Sequence, residues 1–241
     1  MNKETLDKMS QMHLQGMYYA FKTSLEALHK ESMTIDQFVS WLVLSEWDDR
    51  RNRAIQRAIR QAAFRHKASI EEINFSIERG LDRNQVQRLG ELSFIGEHKD
   101  LFITGSTGTG KSYLASALGY QACQKGYKVL YSNTSRLMGT LKHAKAKGTI
   151  LTDLRKIERM DLLILDDFGL QPFDAVARMN LLDVIEDRYG KKSTIITSQI
   201  PVKDWHDVIG DKTVADAVLD RIVHQAIRIE LYGESLRKKR I

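Results

Sequence analysis

The run Gly105-Ser106-Thr107-Gly108-Thr109-Gly110-Lys111-Ser112 meets the pattern G-x-x-x-x-G-K-[ST] at every constrained position. Glycines at this spacing let the backbone curl until its N–H groups face a phosphate, and a helix opening at Lys111 adds its positive dipole. Lys111 then reaches the β- and γ-phosphates, Ser112 places its hydroxyl on Mg²⁺, and Tyr113 follows at the nucleotide's edge. A nucleoside triphosphate is the ligand this predicts. About fifty residues on, Leu162-Leu163-Ile164-Leu165-Asp166-Asp167 reads as a buried strand delivering two carboxylates at its C-terminal edge. Asp166 is expected to hold Mg²⁺, directly or through water, and Asp167 to orient and deprotonate the attacking water. A further strand ends in Ser198-Gln199, where a polar side chain can face the γ-phosphate. Gln199 is the first choice, Ser198 the second, and a plain polar turn before Pro201 the alternative.

These groups need elements to position them. Asp100 to Thr104 reads as the strand before the loop, and 111–124 as the helix after it. Strands at 127–132, 161–166, 193–198 and 227–231 then alternate with helices at 134–145, 174–189 and 213–225. That alternation implies an α/β fold with a parallel five-stranded sheet covered on both faces. Residues 1–90 differ in texture and predict a small all-α domain ahead of an ATPase domain at 91–241. Leu6, Met9, His13, Met17, Phe21 and Leu28 recur at helical spacing. Thr34 and Gln37 form a capping box for a second helix over 35–67, and Ser69 caps a third ending near Gly80. Phe38, Trp41, Trp47, Met9, Met12 and Met17 are expected to pack the core of this part.

The second of these helices is basic. Arg50, Arg53, Arg57, Arg60, Phe64 and Lys67 share one face, and no acidic residue falls between Arg50 and Lys67. A solvated helix normally intersperses glutamates, so DNA phosphates are the expected counter-charge, with an ordinary exposed face as the alternative. Lys142, Lys145 and Lys147 make a smaller patch, and the tail from Arg237 to Arg240 a third. The net charge of +6 agrees with an anionic partner beyond the nucleotide. The single cysteine, Cys123, suits packing in a reducing compartment. No apolar run is long enough to span a bilayer, so no membrane partner and a cytoplasmic location are expected.

In order and spacing, these elements resemble the AAA+ ATPases. Within them the chain is similar to the branch holding the DnaC-type helicase loaders and the IstB-like proteins of insertion sequences. Phe94-Ile95-Gly96, Gly105 to Ser112, Asp161 to Gly169, Thr197 to Pro201 and Gly233 to Arg237 carry the likeness. It implies an ATP- and Mg²⁺-dependent helper of DNA transposition that multimerises on double-stranded target DNA and recruits or stimulates a transposase. A DnaC-like loader of a replicative helicase is the alternative. The resemblance also gives Arg221 a role: completing the nucleotide site of a neighbouring subunit, with an internal salt bridge to Asp216 or Asp220 as the competing reading. Lys142, Lys145 and Lys147 fall where related ATPases contact nucleic acid. Two departures stand out. Asp167 replaces the glutamate of most AAA+ proteins, which predicts slow hydrolysis. The sequence after the last strand leaves room for at most a minimal C-terminal lid, with Arg237 as the candidate second phosphate sensor. A small-molecule kinase would share the loop but has no use for the basic helix or Arg221.

Overall fold

A computed structural model describes residues 2–26 and 33–236. Contacts divide the chain into two compact units that meet at Arg57/Ala58, not near residue 90 as texture suggested. Residues 58–90 belong with the sheet because Ala62, Ala68, Ile73, Val86 and Leu89 are buried in its core.

The first unit is helical: α1 (Asn2–Gln11), α2 (Gln15–Glu26) and the greater part of α3 (Ile35–Ala62). The expected first helix is interrupted, because His13 adopts a left-handed φ of 58°; Leu28 lies outside the described residues. The Thr34–Gln37 capping box forms in both directions, at 2.9 and 3.3 Å. Glu46 is the buried hub. Its carboxylate accepts the N–H groups of Gly16 and Met17, satisfying two orphan donors at the start of α2 as a cap from a distant residue. Burial alone would raise its pKa; hydrogen bonds from Arg50 and from the two amides hold it below the ordinary value. Phe21, Phe38 and Trp41 cluster, but Trp47 and Met12 are each 66 % exposed. The core-packing expectation fails for those two. Trp47 instead continues an exposed row with Ile35, Val39 and Val43, one helical turn apart.

α3 stops at Ala62, not at residue 67, because Ala63 turns left-handed at φ 57°. Phe64 leaves the helix to stack on Tyr120 at 4.6 Å, so neither it nor Lys67 lies on the basic face. The helix expected after Ser69 is absent. Ser69 Oγ accepts from the Glu71 amide and Asn74 Oδ1 from the Ser76 amide, local bonds that compete with helix formation. Then come α4 (Arg83–Gly90) and the short α5 (Ser93–Gly96).

The core of the second unit alternates as expected: β1 (Leu101–Gly105), α6 (Lys111–Gln124), β2 (Val129–Asn133), α7 (Thr134–Ala146), α8 (Ile150–Glu158), β3 (Leu162–Phe168) and α9 (Ala175–Arg188). It continues through β4 (Ser193–Ser198), α10 (Trp205–Ile209), α11 (Lys212–Val223) and β5 (Ile227–Leu231). The sheet is parallel, ordered β2-β3-β4-β1-β5, with an apolar cluster on each face. α8 was missed, although Ile150, Leu154 and Ile157 recur at helical spacing. Buried Arg188 ties α8 to β4 by donating to the carbonyls of Ile157, Met160 and Ser193. Cys123 is free and buried, and burial pushes its thiol up to about 11. Among the described residues no helix is long and apolar enough to cross a membrane.

Candidate nucleotide site

β1 lies between β4 and β5, fully buried through Leu101, Phe102 and Ile103, and delivers the glycine-rich loop at the C-terminal edge of the sheet. Parallel α/β sheets bind ligands at that edge. Gly105 (φ 140°) and Gly108 (φ 81°) hold conformations that side chains rarely adopt. A Cβ at Gly105 would sit 1.9 Å from the Leu231 carbonyl oxygen, and one at Gly108 would sit 2.0 Å from Ser235 Oγ.

The loop is braced through its carbonyls. Buried Lys111 donates from Nζ to the carbonyls of Gly105 and Ser106, each at 2.7 Å. The Thr109 hydroxyl donates to the Ser106 carbonyl. Arg79 donates to the Thr109 carbonyl, and the Leu236 amide to that of Gly108. The chain after β5 therefore lies along the loop as far as it is described; Arg237 and the basic tail fall outside the described residues.

The two carboxylates are brought together by a β-bulge. Leu165 pairs with Ile196 and Phe168 with Ser198, so Asp166 and Asp167 both stand opposite Thr197. In a regular strand neighbours point to opposite faces. Here Asp167 takes φ 55°, and both carboxylates come within reach of one nitrogen, Arg65 Nη1, at 3.3 and 3.0 Å. Asp166 is fully buried and accepts the hydroxyls of Ser112 (2.7 Å), Thr197 and Tyr131. Burial would raise its pKa, but hydrogen bonds from Thr197, Tyr131, Ser112 and Arg65 hold it below the usual carboxylate value. Burial, then the bond to Asp166, pushes the Tyr131 phenol well up. Thr197 Oγ1 also accepts the Asp167 amide at 3.1 Å, and Asn133 reaches the Asp167 carboxylate at 3.4 Å.

Ser112 and Asp166 are thus in direct contact, a hydroxyl beside an ionised carboxylate. That donor set fits Mg²⁺, which takes one or two protein oxygens and fills its remaining positions with water and substrate phosphates. No cluster of three His, Cys, Asp or Glu side chains suited to a metal occurs among the described residues, and a nucleotide-bound Mg²⁺ needs none.

The other predicted residues divide. Tyr113 follows Ser112 on α6 and donates to Glu72 at 2.9 Å. Gln199 is exposed just beyond β4, which pairs with β1 through Thr104 and Ser198. Ser198 is buried and spends its hydroxyl on the turn, donating to the Phe168 carbonyl and accepting the Ile200 amide. Arg221 is held by Glu186 at 2.5 Å and by the Ala217 carbonyl; Asp216 and Asp220 pair with His206 and His224 instead. It lines a cavity of about 200 Å³ with Asp100 and Arg188, at the strand-start edge of the sheet. A five-residue strand spans roughly 17 Å, so Arg221 faces away from its own phosphate loop.

The basic helix is less bare of acid than the stretch from Arg50 to Lys67 suggested. Glu46 pairs with Arg50 at 2.6 Å, and Asp49 with Arg53 at 2.8 Å, from one turn upstream. Arg57, Arg60 and Lys67 are exposed, as are Lys145 and Lys147. Lys142 is paired with Asp174 at 2.7 Å.

Sequence reasoning missed Arg65, Tyr131, Asn133 and Thr197 as parts of the site. Tyr131 and Asn133 had a signal, since alternate residues on the strand beside β3 share a face and Asn133 registers with Asp166. Arg65 had none: it lies 101 positions from Asp166 and looks like one more arginine in the basic stretch between Arg50 and Lys67.

A phosphate loop on the inner strand β1, with the paired-carboxylate strand β3 one strand away across β4, defines an AAA+ P-loop ATPase. Solved structures agree on the fold. DnaI superposes with a TM-score of 0.60 at 24 % identity, over 68 % of this chain and 91 % of that one. AMPPCP-bound DnaA from Aquifex aeolicus gives 0.59 at 24 %, over 73 % and 54 %. The chain belongs to the IstB-like ATP binding protein family, whose model matches residues 7–241. An insertion sequence ATP-binding protein of Sinorhizobium fredii (strain NBRC 101917 / NGR234), y4pL, is 44 % identical over 97 % of this chain and 96 % of its own length. The ATP-binding protein of insertion sequence IS21 from Pseudomonas aeruginosa is 30 % identical over 96 % and 87 %.

Proposed function

We propose that this ATPase is the ATP-dependent helper of an insertion sequence: it multimerises on double-stranded target DNA and recruits or stimulates a transposase. The observation that carries the reading is the paired-carboxylate bulge against Ser112 in a chain of this family. Lys111 leaves its two carbonyl partners to meet the β- and γ-phosphates. Ser112 and Asp166 hold Mg²⁺, which when bound neutralises charge on the phosphates. Asp167 accepts the proton of the attacking water as its oxygen bonds to the γ-phosphorus and the bond to ADP breaks. Gln199 orients that water or faces the γ-phosphate. Arg221 serves a neighbour's site. Arg50, Arg53, Arg57, Arg60 and Lys67, with Lys142, Lys145 and Lys147, meet DNA phosphates, and the exposed row Ile35-Val39-Val43-Trp47 suits contact with another chain.

Sedimentation on a duplex with ATP and Mg²⁺ tests this. Wild type should form multimers, Lys111→Ala should form none, and Asp167→Asn should assemble while its turnover falls by about 100-fold or more. Assembly by Lys111→Ala equal to wild type, or wild-type turnover by Asp167→Asn, would sink the assignment.

A further inference from the structure

Arg65 has no part in the chemistry above, yet it makes the only ion pairs to Asp166 and Asp167 among the described residues. One nitrogen bridges both carboxylates, on the side of Asp166 not taken by Thr197 and Ser112: those hydroxyls bind Oδ1, while Arg65 and Tyr131 bind Oδ2. We propose that Arg65 is an internal counter-ion for the carboxylate pair and competes with the divalent metal for it. The proposal rests on the reading of Ser112 and Asp166 as metal holders.

Three observations support exchange over a permanent salt bridge. The pair carries two negative charges, one on a fully buried side chain, and would repel a triphosphate unless a cation stood by. A guanidinium and a divalent metal within a few ångströms of the same oxygens repel each other in turn, so binding of one weakens the other. The surroundings also let the side chain leave without unfolding anything. Its backbone is pinned by Phe64 on Tyr120 and by buried Ala62 and Ala68, while the Arg65 side chain is 44 % exposed and open to water on one side. Arg65 is thus a positioning residue that offsets half of the pair's charge until the metal arrives with the nucleotide.

The test is Mn²⁺ binding to the full chain with AMPPNP, followed by electron paramagnetic resonance, and AMPPNP binding without metal. In Arg65→Ala the Mn²⁺ half-saturation should fall about fivefold, the scale of a partly exposed ion pair, while metal-free AMPPNP binding weakens. Arg65→Lys should stay near wild type, and Arg65→Gln keeps a donor without charge should the alanine variant fold poorly. Unchanged or weaker Mn²⁺ binding in folded Arg65→Ala and Arg65→Gln overturns the proposal. Asp166→Asn separates the two failures: if it binds Mn²⁺ like wild type, the metal-site reading itself is wrong.

Discussion

Thr197 donates to one carboxylate and accepts the amide of the other, so a single hydroxyl seats both acidic residues of the bulge. Valine has nearly the same shape and neither bond. Thr197→Val leaves a buried Asp166 oxygen short of a donor and the Asp167 amide short of an acceptor, which costs about 1–3 kcal/mol of stability. Turnover should fall about tenfold or more because the left-handed Asp167 loses its anchor, while ATP affinity changes little. Denaturant melts and steady-state ATPase assays check this, with Thr197→Ser as the restoring control. Wild-type stability and turnover in the valine variant would show that the bulge holds itself. Ser198, one residue on, is buried just as deeply but serves the turn. Strand alternation separates the two roles.

α3 shows how an element can look one way in sequence and act another way in the fold. Its arginines are read best by the salt dependence of duplex binding, where each phosphate contact adds about 0.9 to the slope of log K against log salt. Replacing Arg53, Arg57 and Arg60 together with alanine should weaken binding to all sequences alike. The single changes should differ. Arg57→Ala should flatten the slope by about 0.9, and Arg53→Ala by clearly less, because Asp49 and Glu46 already neutralise part of its charge. Equal slopes for wild type and the triple variant would return α3 to an ordinary solvated face. Its turns of different character were legible separately: Thr34 and Gln37 announced the start, but nothing local marks Ala63 as the stop.

At the scale of the whole molecule, the role proposed for Arg221 in a neighbour's site requires a second copy. The arginine points away from its own phosphate loop and rests on Glu186, a partner from which a neighbour's phosphates could draw it. Arg221→Ala should bind ATP and hydrolyse it poorly. Mixed with Lys111→Ala, it should recover part of the activity, since some interfaces then pair an intact loop with an intact arginine. ATPase assays across mixing ratios, with co-assembly shown by sedimentation, decide this. Co-assembled mixtures with no rescue at any ratio would confine Arg221 to the Glu186 bridge.

The glycine-rich loop, its flanking strand and helix, the acidic strand and the alternation of elements were all readable from the chain alone. Each is a local pattern, set by turn chemistry or by the period of burial within a few residues. What the tertiary structure decided was pairing at long range. The bulge depends on the register of β3 against β4; Arg65 meets Asp166 only because the segment after α3 folds back onto α6 and β2 through Phe64. The edge of the sheet on which Arg221 falls follows from the direction of α11. The compact unit ends at Arg57/Ala58 and not near residue 90, because Ala62, Val86 and Leu89 bury against a sheet that begins later in the chain. Burial of that kind is a property of the partner surface, and no window of sequence contains both sides of it.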